Sequence, residues 1–216
     1  MVKLTDLGFS KDAIFETIVS TYNPDGLVDA APMGVTLLDL HTISLSLYNS
    51  SQTSCNLRTN KCGVINITSD IQIFFRTAFK EANPNGKLPQ EWFEGQETMN
   101  APKLRLADAT VAVSVVSMAP IGAGKTKFTC NIEQIIASKV FPQVYRRAMA
   151  ATLEAILHAT RVKIFINQKT RQKEVTKLLE LIENSNEIVN NTAPNSVYSA
   201  VMADLMKQID GWRNKP

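Results

Sequence analysis

Three strand-like segments follow one another before Asn49, and the turns between them are too short to hold a helix. Ile14–Tyr22 is rich in β-branched and aromatic residues, which favours a strand. In the turn 23–26 (Asn-Pro-Asp-Gly), proline presets φ and glycine accepts the positive φ that closes a hairpin. A second strand is predicted from Leu27 to about Leu40, and Ile43–Tyr48 alternates as a strand with one buried face does. The chain therefore begins as an antiparallel meander.

The second predicted strand is interrupted by the segment Ala30–Gly34. Pro32 cannot donate to a sheet ladder, and Gly34 weakens the interior of a strand. The pair favours a sheet edge, a bulge, or a place where a ligand approaches the backbone closely. The alternative is that Pro32 only protects an edge strand from further pairing.

A polar cluster, Asn49–Thr53, lies between the third strand and a predicted short helix. Hydroxyl groups and unpaired backbone N–H groups at a helix N-terminus bind phosphate well. The alternative is that Ser50 or Ser51 serves only as the N-cap of the helix.

The middle of the chain predicts one more strand, one helix and a long loop. A strand is predicted over Cys62–Thr68, and Asp70 is placed to cap a helix. Apolar residues recur at helical spacing after it: Ile71, Phe74, Phe75, Ala78 and Phe79. Lys87–Arg105 predicts an ordered loop with a turn of helix, packed over either a ligand or a dimer interface.

Two further strands are predicted, Asp108–Met118 and Lys125–Ser138, and they flank a glycine-rich turn. The string 122–126 (Gly-Ala-Gly-Lys-Thr) looks like part of a phosphate-binding P-loop. That motif requires a glycine where this chain has Ala119, and it requires a helix to follow. Because an alternating segment follows, with Phe128, Cys130 and Ile132 on one face, the sequence predicts a hairpin turn instead.

The chain becomes helical after Pro142. Helices are predicted over Val144–Thr160 and Arg171–Glu183, and a last helix is capped by Asn195 or Ser196, with Gly211 just past its end. We therefore expect two parts: a β-rich domain over 1–140 and a helical C-terminal subdomain over 141–216.

A second polar cluster lies in the first of these helices. Arg146 and Arg147 fall in its first turn, where the helix dipole disfavours cations unless an anion binds there. Glu154, His158 and Arg161 form one stripe at spacings of four and three residues. These residues either border a ligand cleft or form a solvated, salt-bridged face. Glu154 and His158 alone are too few for a zinc or iron site, so no metal is expected.

Composition and charge exclude several classes of protein. The net charge of +3 is spread along the sequence, unlike the clustered basic face of a nucleic-acid-binding protein. No apolar run is long enough to span a membrane and no signal sequence is visible, so a cytoplasmic protein is expected. The three cysteines, Cys55, Cys62 and Cys130, show no metal-binding or disulfide pattern.

The order of these features along the chain is typical of a known superfamily. The chain has, in order, a Pro-Asp-Gly hairpin, a Pro-x-Gly segment, a strand that leads into Ser50-Ser51-x-Thr53-x-x-Asn56, and a further strand. This order is similar to that of the FMN-binding split β-barrel proteins, which include flavin reductases and pyridoxamine-phosphate-oxidase-like proteins. More narrowly, the chain resembles a functionally uncharacterised, mostly archaeal group of flavoproteins with a helical C-terminal extension.

The resemblance implies a fold, a cofactor and a set of contacts. The fold is α+β, an antiparallel split barrel with flanking helices, and its members are usually homodimers with FMN at the interface. The backbone of Pro32, Met33, Gly34 and Val35 would lie along the isoalloxazine ring. Ser50, Ser51 and Thr53 would hold the phosphate, with Asn56 nearby. Because the cluster 50–53 contains no lysine or arginine, Arg58 or Arg147 would supply the positive charge.

The implied activity follows from the cofactor. A flavin carries out hydride or electron transfer itself, so no protein nucleophile is required and no catalytic side chain is assigned. The first hypothesis is an oxidoreductase of flavin-reductase type that uses NAD(P)H or another small molecule. The alternatives are a flavin carrier or sensor without turnover, and the same barrel with a deazaflavin or haem.

Overall fold

The structure, a computed structural model, describes residues 2–9, 11, 14–137 and 147–213. The chain divides into two compact units. The first comprises Met1–Ser69 and Lys80–Phe141, and the second comprises Asp70–Phe79 and Pro142–Pro216. We call them the barrel unit and the helical unit.

Six antiparallel strands form a closed barrel in the order β1-β2-β3-β8-β7-β4. Their bounds are Ile14–Tyr22 (β1), Val28–Leu37 (β2), Thr42–Tyr48 (β3), Cys62–Ile67 (β4), Ala109–Pro120 (β7) and Lys125–Ala137 (β8). A small separate sheet pairs β5, Phe93–Gly95, with β6, Pro102–Leu104. The expected split barrel is confirmed, and so are all six of the predicted strands that build it.

The two predicted hairpin turns are both present. In the first, the Gly26 N–H donates to the Asn23 carbonyl at 2.9 Å, and Gly26 has a φ of 80°. In the second, the Lys125 N–H donates to the Gly122 carbonyl at 2.9 Å. A strand follows Lys125 and no helix does, so the hairpin interpretation of the glycine-rich segment is confirmed.

The predicted interruption of the second strand is wrong, but the predicted edge is correct. β2 runs through Pro32 without a register shift, and Pro32 pairs with Ile18 of β1. On its other side β2 pairs with β3 only over Val35–Leu37, and the described residues supply no strand partner there for 28–34. Proline is tolerated in such a strand because an edge needs no ladder donor.

The barrel interior is a single apolar cluster to which every barrel strand contributes. β3 supplies Ile43, Leu45 and Leu47, as its alternation predicts, and β8 supplies Phe128 and Cys130. The strands enclose a continuous core, and the buried residues of this cluster are at most 5% exposed.

The predicted ordered loop over 87–105 contains more structure than expected. One turn of 3₁₀ helix spans Gln90–Trp92, as predicted, and β5 and β6 follow it. Asn66, fully buried in β4, holds this small sheet to the barrel: its Oδ1 accepts from the Leu104 N–H at 2.7 Å, and its Nδ2 donates to the Ile18 carbonyl at 2.9 Å.

Among the described residues, one α-helix belongs to the barrel unit and four belong to the helical unit. The former is α1, Gln52–Asn60, and the latter are Ile71–Ala78 (α2), Arg147–Phe165 (α3), Gln172–Thr192 (α4) and Val197–Arg213 (α5). Asp70 caps α2 as predicted, since its Oδ1 accepts from the Gln72 N–H at 2.8 Å. Across 2–9, 11, 14–137 and 147–213, no helix combines the length and hydropathy needed to cross a bilayer.

The predicted end of the last helix is wrong. Ser196 caps it, accepting from the Ser199 N–H at 3.3 Å, but Gly211 lies within α5 and not beyond it. The helix continues because Trp212 is buried, with its ring 5.5 Å from that of Phe79. Burial of an aromatic side chain outweighs the cost of about 1 kcal/mol for glycine in a helix.

Candidate functional site

Ser51 is the N-cap of α1. Its Oγ accepts from the Ser54 N–H at 3.2 Å and donates to the Tyr48 carbonyl at 2.9 Å. The N–H groups of Gln52 and Thr53, in the first turn, have no acceptor within the helix. The hydroxyl of Ser51 is therefore used by the protein, and the backbone donors of the first turn are the groups that can bind an anion. Ser50, just before the cap, is exposed.

Thr53 joins this first turn to a partly buried ion pair. Its hydroxyl is 3.5 Å from Oδ2 of Asp29, and both residues are almost completely buried. The ammonium of Lys80 binds the other carboxylate oxygen of Asp29. Sequence reasoning missed both Asp29 and Lys80, although a charged residue inside the apolar second strand was a visible signal.

Asn56 ties the helix to the first hairpin. Its Nδ2 donates to Oγ1 of Thr21 at 2.9 Å and to Oδ1 of Asn23 at 2.8 Å, while its Oδ1 accepts from Nε2 of Gln52 at 2.9 Å. These protein partners occupy the amide, so Asn56 positions the first turn of α1 relative to the hairpin.

An open cleft of about 530 Å³ lies at this end of α1. Its walls come from the first hairpin, the start of β2, the first turn of α1 and the segment after α2, and the lining residues are Asn23, Pro24, Asp25, Asp29, Gln52 and Lys80. The lining is polar and carries both signs of charge, which suits a polar, charged ligand group.

The edge segment of β2 is partly exposed. Val35 is fully buried in the barrel core, whereas Pro32, Met33 and Gly34 are half-buried. The main chain of Val35 pairs with β1 on one side and with β3 on the other, so the open edge ends just before it. The open edge runs along the same strand that supplies Asp29 to the cleft, so one strand links the two parts of the candidate site.

Arg58 is committed to other partners within the barrel unit. Its Nη2 donates to Oδ1 of Asn49 at 2.8 Å and to Oγ1 of Thr126 at 2.5 Å. The guanidinium carbon lies 5.6 Å from the centre of the Phe128 ring. Arg58 therefore fastens the end of β3 to β8.

The second predicted cluster lies in the helical unit. Arg147 is the first residue of α3 and is exposed, and Arg146 lies outside the described residues. Glu154, His158 and Arg161 form the expected stripe on α3. Nε2 of His158 lies 3.9 Å from Oε2 of Glu154. That the stripe borders a ligand cleft stays a prediction.

Within this stripe, the imidazole of His158 has a pKa below its ordinary value. Burial lowers the pKa of its imidazole, the charge of Glu154 raises it, and Arg161 lowers it. Its Nδ1 is buried and has no hydrogen-bond partner among the residues that the structure describes. In that same part of the chain, no three His, Cys, Asp or Glu side chains are grouped as a metal site would require.

Comparisons with known proteins agree with this architecture. The model of the N-terminal domain of a protein family of unknown function, DUF447, matches residues 15–138. The FMN-bound protein MM1853 from Methanosarcina mazei, also of that family, has a similar structure, with a TM-score of 0.77 and 22% sequence identity over 95% of this chain and 99% of that one. Nitrilotriacetate monooxygenase component B from Bacillus cereus has a TM-score of 0.51 and 15% identity, over 70% of this chain and 83% of the other. At these identities the likeness establishes a shared fold.

Proposed function

This chain belongs to the DUF447 protein family, and from that premise we propose that it is a flavoprotein that binds FMN on its split barrel. The observation that carries the proposal is the open edge of β2 beside the first turn of α1. The similar structure of the FMN-bound protein from Methanosarcina mazei supports it, because it covers nearly the whole of both chains.

The residues present fit the two polar parts of FMN. Main-chain groups of Pro32, Met33 and Gly34 would bond the polar edge of the isoalloxazine ring, and Val35, which pairs with strands on both sides, would border it. The edge has room for this because 28–34 pair only with β1 among the described strands.

The phosphate would lie at the N-terminus of α1, where the N–H groups of Gln52 and Thr53 need acceptors. Ser50 and Ser51 would border it, and Asn56 would hold the turn in place through its contacts with Thr21 and Asn23.

We propose an oxidoreductase of flavin-reductase type with NAD(P)H as the electron donor. When bound, FMN supplies the hydride or electron transfer, and the protein contributes binding, orientation and exclusion of water. On α3, Arg147 is our candidate for a cofactor phosphate contact, and Glu154, His158 and Arg161 are candidates for substrate contacts, together with Arg146 in the sequence. A homodimer is also part of the proposal, and sedimentation velocity with and without FMN tests it. A cytoplasmic location is part of the proposal too, and fractionation of expressing cells tests it.

An absorption spectrum of the purified protein tests the main proposal. After addition of FMN and removal of the unbound excess, we expect a flavin spectrum that bleaches on anaerobic addition of NADH or NADPH. A retained flavin that neither donor bleaches would refute the NAD(P)H-dependent reductase and favour a carrier, a sensor or another donor. Failure to retain FMN would refute the flavoprotein proposal itself, and a deazaflavin or haem spectrum would name the ligand.

A further inference from the structure

An FMN phosphate carries nearly two negative charges at neutral pH, and the cluster 50–53 contains no cation to balance them. Resting on the proposed function, we infer that Lys80 supplies the positive charge that meets the phosphate and that the buried Asp29 holds Lys80 in position. Lys80 is far from this cluster in sequence and lies in the loop after α2.

The cleft brings Lys80 to the first turn of α1. Lys80 and Gln52, the first residue of the helix, both line it. Asp29 links Lys80 to the first turn of α1, because one of its carboxylate oxygens binds Lys80 and the other lies 3.5 Å from the hydroxyl of Thr53. A phosphate that accepts from the N–H groups of Gln52 and Thr53 would therefore lie beside the ammonium of Lys80.

The exposure of the two side chains supports a division of roles. The side chain of Asp29 is 5% exposed and that of Lys80 is 35% exposed. A buried carboxylate needs a charged or hydrogen-bonding partner, so Asp29 restrains the lysine. An ammonium has three donors, and one on Asp29 leaves the others for the cleft. Asp29 is thus a positioning residue, and Lys80 is the one that touches the ligand.

Two other basic residues of the barrel unit near this helix, Arg58 and Lys125, are directed elsewhere. Arg58 is bound to Asn49 and Thr126, and neither it nor Lys125 lines the cleft. The Lys125 ammonium lies over the Tyr48 ring, 4.4 Å from its centre. Lys80 is therefore a better candidate than Arg58, which is one of the two arginines expected to supply this charge, the other being Arg147.

The inference predicts recognition of the phosphate itself, so FMN and riboflavin, which lacks the phosphate, are the two probes. Dissociation constants are measured by quenching of flavin fluorescence for the wild type and for Lys80→Gln. We expect the variant to bind FMN roughly tenfold or more weakly, as befits a lost hydrogen bond to a charged group, and to bind riboflavin within about twofold of the wild type.

Two further variants separate binding from folding. Asp29→Asn combined with Lys80→Gln removes both charges, so no unpaired carboxylate is left buried, and it should show the same selective loss of FMN affinity. Lys87 is an exposed lysine that does not line the cleft, so the control variant Lys87→Gln should bind both flavins as the wild type does.

The outcomes distinguish the two proposals. If the wild type binds neither flavin, the flavoprotein proposal fails, and the role of Lys80 fails with it. If the wild type prefers FMN to riboflavin and both Lys80 variants keep that preference, FMN binding stands and the assignment of Lys80 is overturned. Equal affinity of the wild type for FMN and riboflavin would also overturn it, because no group would then recognise the phosphate.

Discussion

Gly34 approaches Ile14 closely across the β1–β2 ladder: a Cβ atom at Gly34 would lie 2.7 Å from Cγ2 of Ile14, so a side chain here would force the exposed side chain of Ile14 to move. The backbone of Gly34 does not have a positive φ, so contact with Ile14, and not chain conformation, disfavours a side chain at this position. The absence of a side chain at this position has a structural cause before any ligand is considered.

Gly34→Ala should lower the free energy of unfolding by about 1 kcal/mol in the absence of flavin, because overpacking exceeds the gain from replacing a strand glycine. Urea denaturation measures it. In an Ile14→Ala background the same substitution should become neutral or stabilising, since the clashing methyl is gone. Gly95→Ala is the matched control, because a Cβ there meets nothing closer than the Tyr22 hydroxyl at 3.9 Å. An equal loss in both backgrounds would contradict the explanation.

Ser51 allows capping and phosphate binding to be separated. Ser51→Asp retains a good N-cap, so the stability of the protein should stay within about 1 kcal/mol of the wild type. A carboxylate beside the proposed phosphate site should weaken FMN binding about tenfold through repulsion, while riboflavin binding stays unchanged. Ser51→Asn, a neutral cap, is the control and should bind FMN almost normally. Unaltered FMN affinity in Ser51→Asp would place the phosphate elsewhere.

His158 should make stability depend on pH. Burial lowers the pKa of the folded imidazole below that of the unfolded chain, so the unfolded state takes up a proton first as the pH falls. The free energy of unfolding should therefore decrease as the pH drops through about 6.5 and level off below the folded pKa. Urea titrations from pH 7.5 to 5 should show this loss in the wild type, and a smaller one in His158→Gln.

Glu154→Gln provides the opposite control for His158. The charge of Glu154 raises the pKa of the imidazole, so its removal should lower that pKa further and enlarge the loss of stability at acid pH. The same pH profile in all three proteins would show that His158 titrates alike in the folded and unfolded chains.

The three cysteines should react in a fixed order with a thiol reagent at pH 8. Cys55 is exposed and should react first. Burial raises the pKa of Cys62, which should react more slowly, and raises the pKa of Cys130 to about 12, so the latter should react only after unfolding. Cys55→Ser should remove the fast phase alone. A fast reaction of Cys130 would mean that the barrel core opens readily.

Local signals in the sequence predicted the elements well. The Pro-Asp-Gly turn, the caps at Ser51 and Asp70, and the alternation of β3 all depend on residues within a few positions of one another. The end of the last helix was misplaced because Trp212 is buried against Phe79, a residue far away in the sequence.

The candidate site was harder to predict for the same reason. The backbone segment 32–35 and the cluster 50–53 are recognisable as short motifs. Asp29 and Lys80 are 51 positions apart, and their pairing exists only once β2 and the loop after α2 are in place. Asn66 is a similar case. Its side-chain amide, in β4, forms hydrogen bonds with the backbone of β1 and of β6, and its neighbours in the sequence do not indicate that role.

The open edge of β2 has a consequence for how the barrel holds together. The β1–β2 hairpin joins the other four strands through two short ladders, three residue pairs to β4 and three to β3. The hairpin closes the barrel by joining the two ends of a four-stranded sheet, β4, β7, β8 and β3, whose own ladders are longer. A molecule that bound both the hairpin and the start of α1 would stabilise the closed barrel. Its affinity and the closure of the barrel would therefore be thermodynamically linked.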